Sequence, residues 1–305
     1  MKKSVALSTM IILLSLTWQA ALAGQGPSPP PVGQTEFSFS ATALHQFDTD
    51  LEGGGDYNVQ RYLFRFGALR QMTPDLSGGV GLSYDYENWD FSGATGFRSV
   101  PWGDIHRTGI DLSLRYSGIE NWTLFFLPGL ESARESGADW QDSLQAGGVA
   151  AVSYRFSKRL TVGFGGGLYT GLEETSGFPF LVLRWRISDR LLLANPFRPG
   201  PTGPAGLELI YTIDQNWSAA AGSAWRSFRF RLDDEGPAPE GIGEVDTVPV
   251  WGRLTRRFAD RWVLDLFAGY ALDGELKLED RRGNKVGSVD SDAAPFAAVT
   301  VGFRF

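Results

Sequence analysis

The residues that decide the fold are Ala294-Pro295-Phe296-Ala297-Ala298-Val299-Thr300-Val301-Gly302-Phe303-Arg304-Phe305. From Ala297 on, the odd positions are Ala297, Val299, Val301, Phe303 and Phe305, and the even ones are Ala298, Thr300, Gly302 and Arg304. Side chains alternate faces along a strand, so one face of this strand is wholly apolar and the other small or polar. A soluble sheet would lay the apolar face on a core. With no residue after Phe305 to cover its free edge, the strand needs an earlier strand as partner, and closure into a barrel supplies one.

The same two-faced code recurs from the start of the chain. Glu36 to Phe47 sets Phe37, Phe39, Ala41 and Ala43 opposite Ser38, Ser40 and Thr42, and after a Gly-rich loop Tyr62, Phe64, Phe66 and Ala68 alternate with Arg61, Arg65 and Gly67. Arg65 stands between two phenylalanines and must turn away from an apolar surround, which makes the opposite face a wet interior. A third strand follows the Thr73-Pro74-Asp75 turn, with Val80, Leu82, Tyr84 and Tyr86 outward and Ser83, Asp85 and Glu87 inward. In the fourth, Ile110, Leu112, Leu114 and Tyr116 oppose Asp111, Ser113 and Arg115.

Further short turns fall near residues 118–121, 157–159, 188–190, 214–216 and 259–261. Short turns alternating with long connections are the outer-membrane pattern, the short ones periplasmic. They divide the chain into seven hairpins, giving an all-β transmembrane antiparallel barrel of about 14 strands; if the short Leu191–Ala194 segment fails to span, the count is 12. The stretches 88–106, 132–142 and 233–246 read as acidic external loops. Trp122, Trp217 and Trp262 each follow a periplasmic turn, where an interfacial girdle belongs. Parity breaks down from Trp217 to Leu232, because Trp225, Phe228 and Phe230 cannot share a face without a bulge.

The ends and the composition set the address. Lys2 and Lys3, an apolar run from Val5 to Leu16 and Ala21-Leu22-Ala23 make residues 1–23 a secretory signal peptide. Residues 24–35 are a Pro-rich linker too short for a plug, and 36–305 are the barrel. Gly24 in place of a cysteine at the new terminus argues against a lipoprotein. No later segment approaches 18 consecutive apolar residues, which excludes an inner-membrane helical protein. Without Lys2 and Lys3 the chain has 26 basic against 35 acidic residues, a balance that argues against nucleic acid as a partner. Cysteine is absent, so disulfides and thiol chemistry are absent too.

Two stretches carry a resemblance: Asn195-Pro196-Phe197-Arg198-Pro199-Gly200-Pro201-Thr202-Gly203-Pro204-Ala205-Gly206-Leu207-Glu208-Leu209 and Trp225-Arg226-Ser227-Phe228-Arg229-Phe230-Arg231-Leu232-Asp233-Asp234. They resemble segments of an uncharacterised family of bacterial outer-membrane β-barrels, a domain of unknown function. The likeness covers about a fifth of the mature chain and implies location and fold, not mechanism. The strand ending in Phe305 resembles the C-terminal signal by which such barrels are recognised, which implies the barrel-assembly machinery as a partner beside outer-membrane lipid.

For chemistry the sequence offers little. His45 has no hydroxyl two residues on, and His106 has only Thr108, a weak nucleophile and base pair at a strand end. Asp85 with Glu87, Glu173 with Glu174 and Asp233 with Asp234 are paired carboxylates, but lumenal arginines neutralise inward acids better than they leave them for acid catalysis. The expected lumen-lining residues are Arg61, Arg65, Asp85, Glu87, Asp111, Arg115, Arg253 and Asp265. No cofactor, metal or catalytic residue is expected, and the chain reads as a non-enzymatic, monomeric outer-membrane pore or transporter for small solutes. The alternatives are a structural or adhesive barrel acting through its loops and a lipid-modifying enzyme that uses His106. At the level of fold, the alternative is a soluble periplasmic β-protein.

Overall fold

A computed structural model describes residues 30–97, 99–196, 205–259 and 261–305. The expected signal peptide and most of the expected linker lie outside the described residues. Sixteen strands follow in chain order: β1 (Thr35–Asp50), β2 (Asp56–Gln71), β3 (Leu76–Ser92), β4 (Ile105–Tyr116), β5 (Trp122–Glu135), β6 (Leu144–Arg155), β7 (Leu160–Gly171) and β8 (Glu174–Arg186). The remainder are β9 (Leu191–Ala194), β10 (Gly206–Thr212), β11 (Trp217–Ala224), β12 (Arg226–Arg231), β13 (Ile242–Phe258), β14 (Trp262–Glu279), β15 (Lys285–Ser291) and β16 (Ala294–Arg304).

All except β12 and β15 form a closed antiparallel barrel of 14 strands. The terminal strand closes it: β16 lies between β14 and β1, with Ala41 opposite Val301. The seam is complete to its end, because the Phe37 and Phe305 amides each donate to the other's carbonyl at 2.8 and 3.0 Å. The seam therefore leaves no free edge between β1 and β16, whereas β9 covers β8 only from Arg184 to Arg186. The short β9 does belong to the wall. Where its ladder stops, Asn195 substitutes for backbone, donating through Nδ2 to the carbonyls of Leu181 (2.8 Å) and Gly206 (3.1 Å) and accepting the Leu183 amide through Oδ1 (2.8 Å).

The outward face is an apolar belt in which Phe37, Phe39, Phe64, Leu82, Leu112, Phe164, Leu266 and Val301 are exposed. Trp122 and Trp262 are exposed at its lower margin, packed on Tyr154 (4.9 Å between ring centroids) and Phe303 (4.3 Å). Trp217 carries the Arg256 guanidinium over its ring at 4.8 Å.

One arc of the interior is aromatic. A Cβ built on Gly165 or Gly167 of β7 would come within 2.4 Å of the Phe180 or Phe178 ring of β8, and one on Gly147 of β6 within 2.1 Å of Tyr169. The glycines are there so that rings can lie flat on the neighbouring strand's backbone. Phe178→Ala is therefore expected to leave a void over bare backbone and to destabilise the barrel by about 3–5 kcal/mol. Urea unfolding in vesicles measures this; a loss below about 1 kcal/mol would mean that the ring is not part of the packing.

The parity break near Trp225 is resolved by the chain leaving the wall. Below Val248, β13 pairs with β11, Ser223 facing Val250; above it, β13 pairs with β12, from Arg226 opposite Thr247 to Arg231 opposite Ile242. The partner strand β14 bulges at the same height, between the Val248–Leu272 and Asp246–Glu275 pairs, with Asp273 left-handed at φ 48°. The extra residue flips β14's parity, so Phe267 and Ala271 face inward below the bulge and Leu276 and Leu278 are buried above it. With β15 on the far side of β14, the upper strands become a four-stranded flap.

This flap turns across the external mouth as far as β5, where Arg231 pairs in parallel with Arg134. Phe228, Phe230, Val245, Leu276 and Leu278 pack with Tyr57, Val59, Trp89, Trp102 and Ile105 into one buried cluster under it. Three expected loops are thereby shortened. Strand β3 runs on to Ser92, β5 to Glu135 and β13 begins at Ile242, so the connections are 93–104, 136–143 and 232–241. The flap and the inner wall bury each other's apolar residues at both ends of these segments, which stabilises strand where polar composition alone suggests loop.

Candidate functional site: the lumen and its flap

Two ionic arcs cross the interior. On β2 to β5, Arg65 grips Asp85 with both terminal nitrogens, the Nη2 to Oδ2 bond being 2.8 Å. Arg61 donates from Nε to Glu87 at 3.2 Å and from Nη1 to Gln46 at 3.3 Å, and the Trp89 indole donates to Glu87 at 3.1 Å. Arg107 lies 3.2 Å from Glu131 and 3.8 Å from Asp85. On the far wall Arg253 donates to Glu208 at 2.5 and 3.0 Å and to Asp265 at 3.2 Å, and Trp251 donates to Glu208 at 3.0 Å.

Six of the eight expected lumen residues thus sit in ion pairs on the inner face: Arg61, Arg65, Asp85, Glu87, Arg253 and Asp265. Asp85 and Glu87 are separated by taking different arginines, so they are not an acid pair. Asp111 and Arg115 lie on the same inner face, opposite Gly81 and Ser77, but the ion pairs expected for them do not form: neither has one among the described residues. The reason is height, because Arg115 stands four residues further down the strand than Asp111, beyond the reach of one side chain. Arg107, Glu131 and Glu208 were missed. Glu208 between Leu207 and Leu209 carries the alternation signal, whereas Arg107 was obscured by the loop assigned up to residue 106.

Between the arcs, Phe125, Leu127, Tyr169, Phe178, Phe180 and Val182 form the apolar arc. Above the first ionic arc the flap supplies a roof: the Arg107 guanidinium lies 4.9 Å from the Phe228 ring, and that of Arg61 lies 6.0 Å from the same ring. These cation–aromatic contacts join the flap to the wall's charges.

The other face of the flap is charged. Arg229, 1% exposed, meets Glu174 at 2.6 Å, Glu279, and Glu244 at 3.9 Å. Arg231 reaches Glu173 at 2.8 Å, and Lys277 meets Asp246 at 2.5 Å, Glu275 at 3.2 Å and Glu244 at 3.3 Å. Glu173 and Glu174 come from the wall, at the two-residue turn between β7 and β8, where Leu172 and Glu173 are both left-handed (φ 48° and 66°). That conformation is costly for residues other than glycine, and buried Leu172 holds the turn in it. The pairs of Arg229 with Glu174 and of Arg231 with Glu173 are a latch from flap to wall, and the others brace the flap internally. Glu244 stands above the apolar belt; burial, with Asp246 beside it, pushes its carboxyl up to about 7 against the pull of Lys277 and Arg229.

The histidines face outward. His106 shares Nδ1 with the Tyr84 hydroxyl and Nε2 with the Ser136 hydroxyl, both at 2.9 Å, so the hydroxyl brought to it is Ser136 rather than Thr108. His45 packs edge-on to Phe47 at 4.6 Å. Among the described residues no group of three or more potential metal ligands occurs.

No protein-family model matches the chain, and no curated protein matches it. Solved structures do. An outer-membrane channel from Pseudomonas putida is similar over 92% of this chain and 100% of its own, with a TM-score of 0.50 and 12% identity. A FadL homologue from Pseudomonas aeruginosa is similar over 96% and 99%, with a TM-score of 0.48 and 12% identity. The toluene transporter TodX of Pseudomonas putida is similar over 97% and 95%, with a TM-score of 0.45 and 11% identity. At these identities the likeness is one of fold: the chain is a 14-stranded barrel of the outer-membrane type.

Proposed function

We propose that this protein is a bacterial outer-membrane channel for small solutes whose external mouth is covered by a hinged flap. The observation that carries the reading is a closed wall, apolar outside and lined inside by ionic and aromatic arcs, under a roof latched by separable ion pairs. The barrel sits in the membrane with its tryptophan margin at the periplasmic interface. Single-channel recording of the refolded protein in planar bilayers tests it. Brief unitary openings are expected, and silence from protein shown to be inserted would overturn the reading.

The latch gives the openings a pH dependence. A carboxyl whose pKa is higher with the flap closed than with it released binds its proton more tightly in the closed state. Closure is then strongest below the ordinary carboxylate range and weakens as pH rises through about 7. Open probability is expected to rise from the ordinary carboxylate range to about pH 7, to level off above it, and to lose that rise in Glu244→Gln. A slope unchanged by the substitution would assign the titration elsewhere.

A further inference from the structure

At the end of the barrel opposite the flap, the inner face changes character. Arg115 on β4, Arg155 on β6, Arg184 and Arg186 on β8, Arg257 on β13 and Arg304 on β16 all lie within two residues of a strand's periplasmic end. Register fixes their direction. Ser38 lies opposite Arg304 in the same inward file in which the Thr42 and Thr300 hydroxyls share a hydrogen bond at 2.8 Å. Thr161 faces both Arg155 and Arg184, Leu192 faces Arg186, and Arg257 stands two residues below inward Thr255.

Among the described residues none of the six makes an ion pair. The Nε atoms of Arg115 and Arg184 are buried with no hydrogen-bond partner at all. Among the described residues one acid, Glu36, shares the inner face at this height, while the turns at the rim hold charges of both signs, Arg159 with Asp189 among them at 3.7 Å. Higher in the lumen, Arg61, Arg65, Arg107 and Arg253 each have an acid partner. The chain as a whole carries a net charge of −7, so general basicity does not account for the ring.

Guanidinium groups set side by side in a partly desolvated opening repel one another and leave donors unmet, and an arriving anion corrects both. Arginine, rather than lysine, presents a planar fork that matches a carboxylate. We propose that this ring is the channel's selectivity site, and that the solutes it admits are small organic anions bearing carboxylates. Rings of charged side chains set ion selectivity in pores by this means. The inference rests on the channel reading for transport, but anion binding at the ring stands apart from conduction.

Two measurements on the full mature protein keep the two apart. In bilayers under a KCl gradient, the reversal potential of the wild type should report anion selectivity, and R155Q/R186Q/R257Q, which alters exposed side chains only, should bring the permeability ratio close to about 1. In detergent, fluorescence polarisation should show 5-carboxyfluorescein bound more tightly than cationic rhodamine 6G, with affinity falling at least about tenfold in the triple variant. Silent bilayers with arginine-dependent dye binding would overturn the channel reading and leave the anion site standing. Cation-selective currents, or dye binding unchanged by the triple substitution, would overturn the site.

Discussion

Arg229→Ala is expected to convert brief openings into long ones, with a several-fold rise in mean current across a planar bilayer. Arg229 is the point at which the flap's charged face meets the wall: it holds Glu174 across the mouth while standing against Glu244 and Glu279 on the flap itself. Truncating it leaves Glu174 without its cation; that side chain is 49% exposed, and a pair of this kind contributes about 1 kcal/mol to closure. Every 1.4 kcal/mol or so is tenfold in an equilibrium, so that loss shifts closure by about fivefold. The apolar side of the flap, with Phe228, Phe230 and Leu278, packs on wall residues Tyr57, Trp89 and Ile105 and supplies the part of closure that the latch does not. Glu174→Gln, which leaves Arg229 its two flap acids, should have a weaker effect in the same direction. Currents unchanged in Arg229→Ala would show that the flap does not gate.

Arg253→Ala should be the most damaging single substitution in the wall. Its guanidinium is shared by Glu208 on β10 and Asp265 on β14, three strands buried together on the inner face. Removing it strands two acids at once, and a loss of about 3–5 kcal/mol or more in urea unfolding from vesicles is expected. The paired change Glu208→Gln with Arg253→Met should recover more than half of that loss, because an apolar or neutral filling asks for no counter-charge. A single variant as stable as the wild type would mean that water, rather than Arg253, solvates these acids.

How much of this was legible beforehand follows from the range over which each property is set. The two-residue period is local, so the inward and outward sides of β1 to β4 and β16 can be read residue by residue, and so can the short periplasmic turns that fix the strand count. Arg65 and Asp85 both announce an inner face by standing among aromatic neighbours. Which acid meets which arginine depends on the register of adjacent strands, and residues such as Arg253 and Glu208 lie 45 positions apart. The Ser136 hydroxyl beside His106 was hidden for the same reason, 30 positions away across a hairpin.

The flap marks the boundary most clearly. Arg226-Ser227-Phe228-Arg229-Phe230-Arg231 has the alternation of an ordinary wall strand, aromatic on one side and basic on the other. Within a wall, the phenylalanines would face outward and the arginines into the lumen. In the flap both sides are buried, the rings by Trp102 and its neighbours and the guanidinium of Arg229 by carboxylates from flap and wall. The sequence by itself determined that the chain is a two-faced barrel whose last strand takes an earlier strand as its partner; the structure makes that partner β1. Only the tertiary structure decided that one of its most strand-like segments leaves the wall to roof the lumen, because the bulge at Asp273 and the acids that receive Arg229 are brought together by closure of the barrel, not by neighbours in sequence.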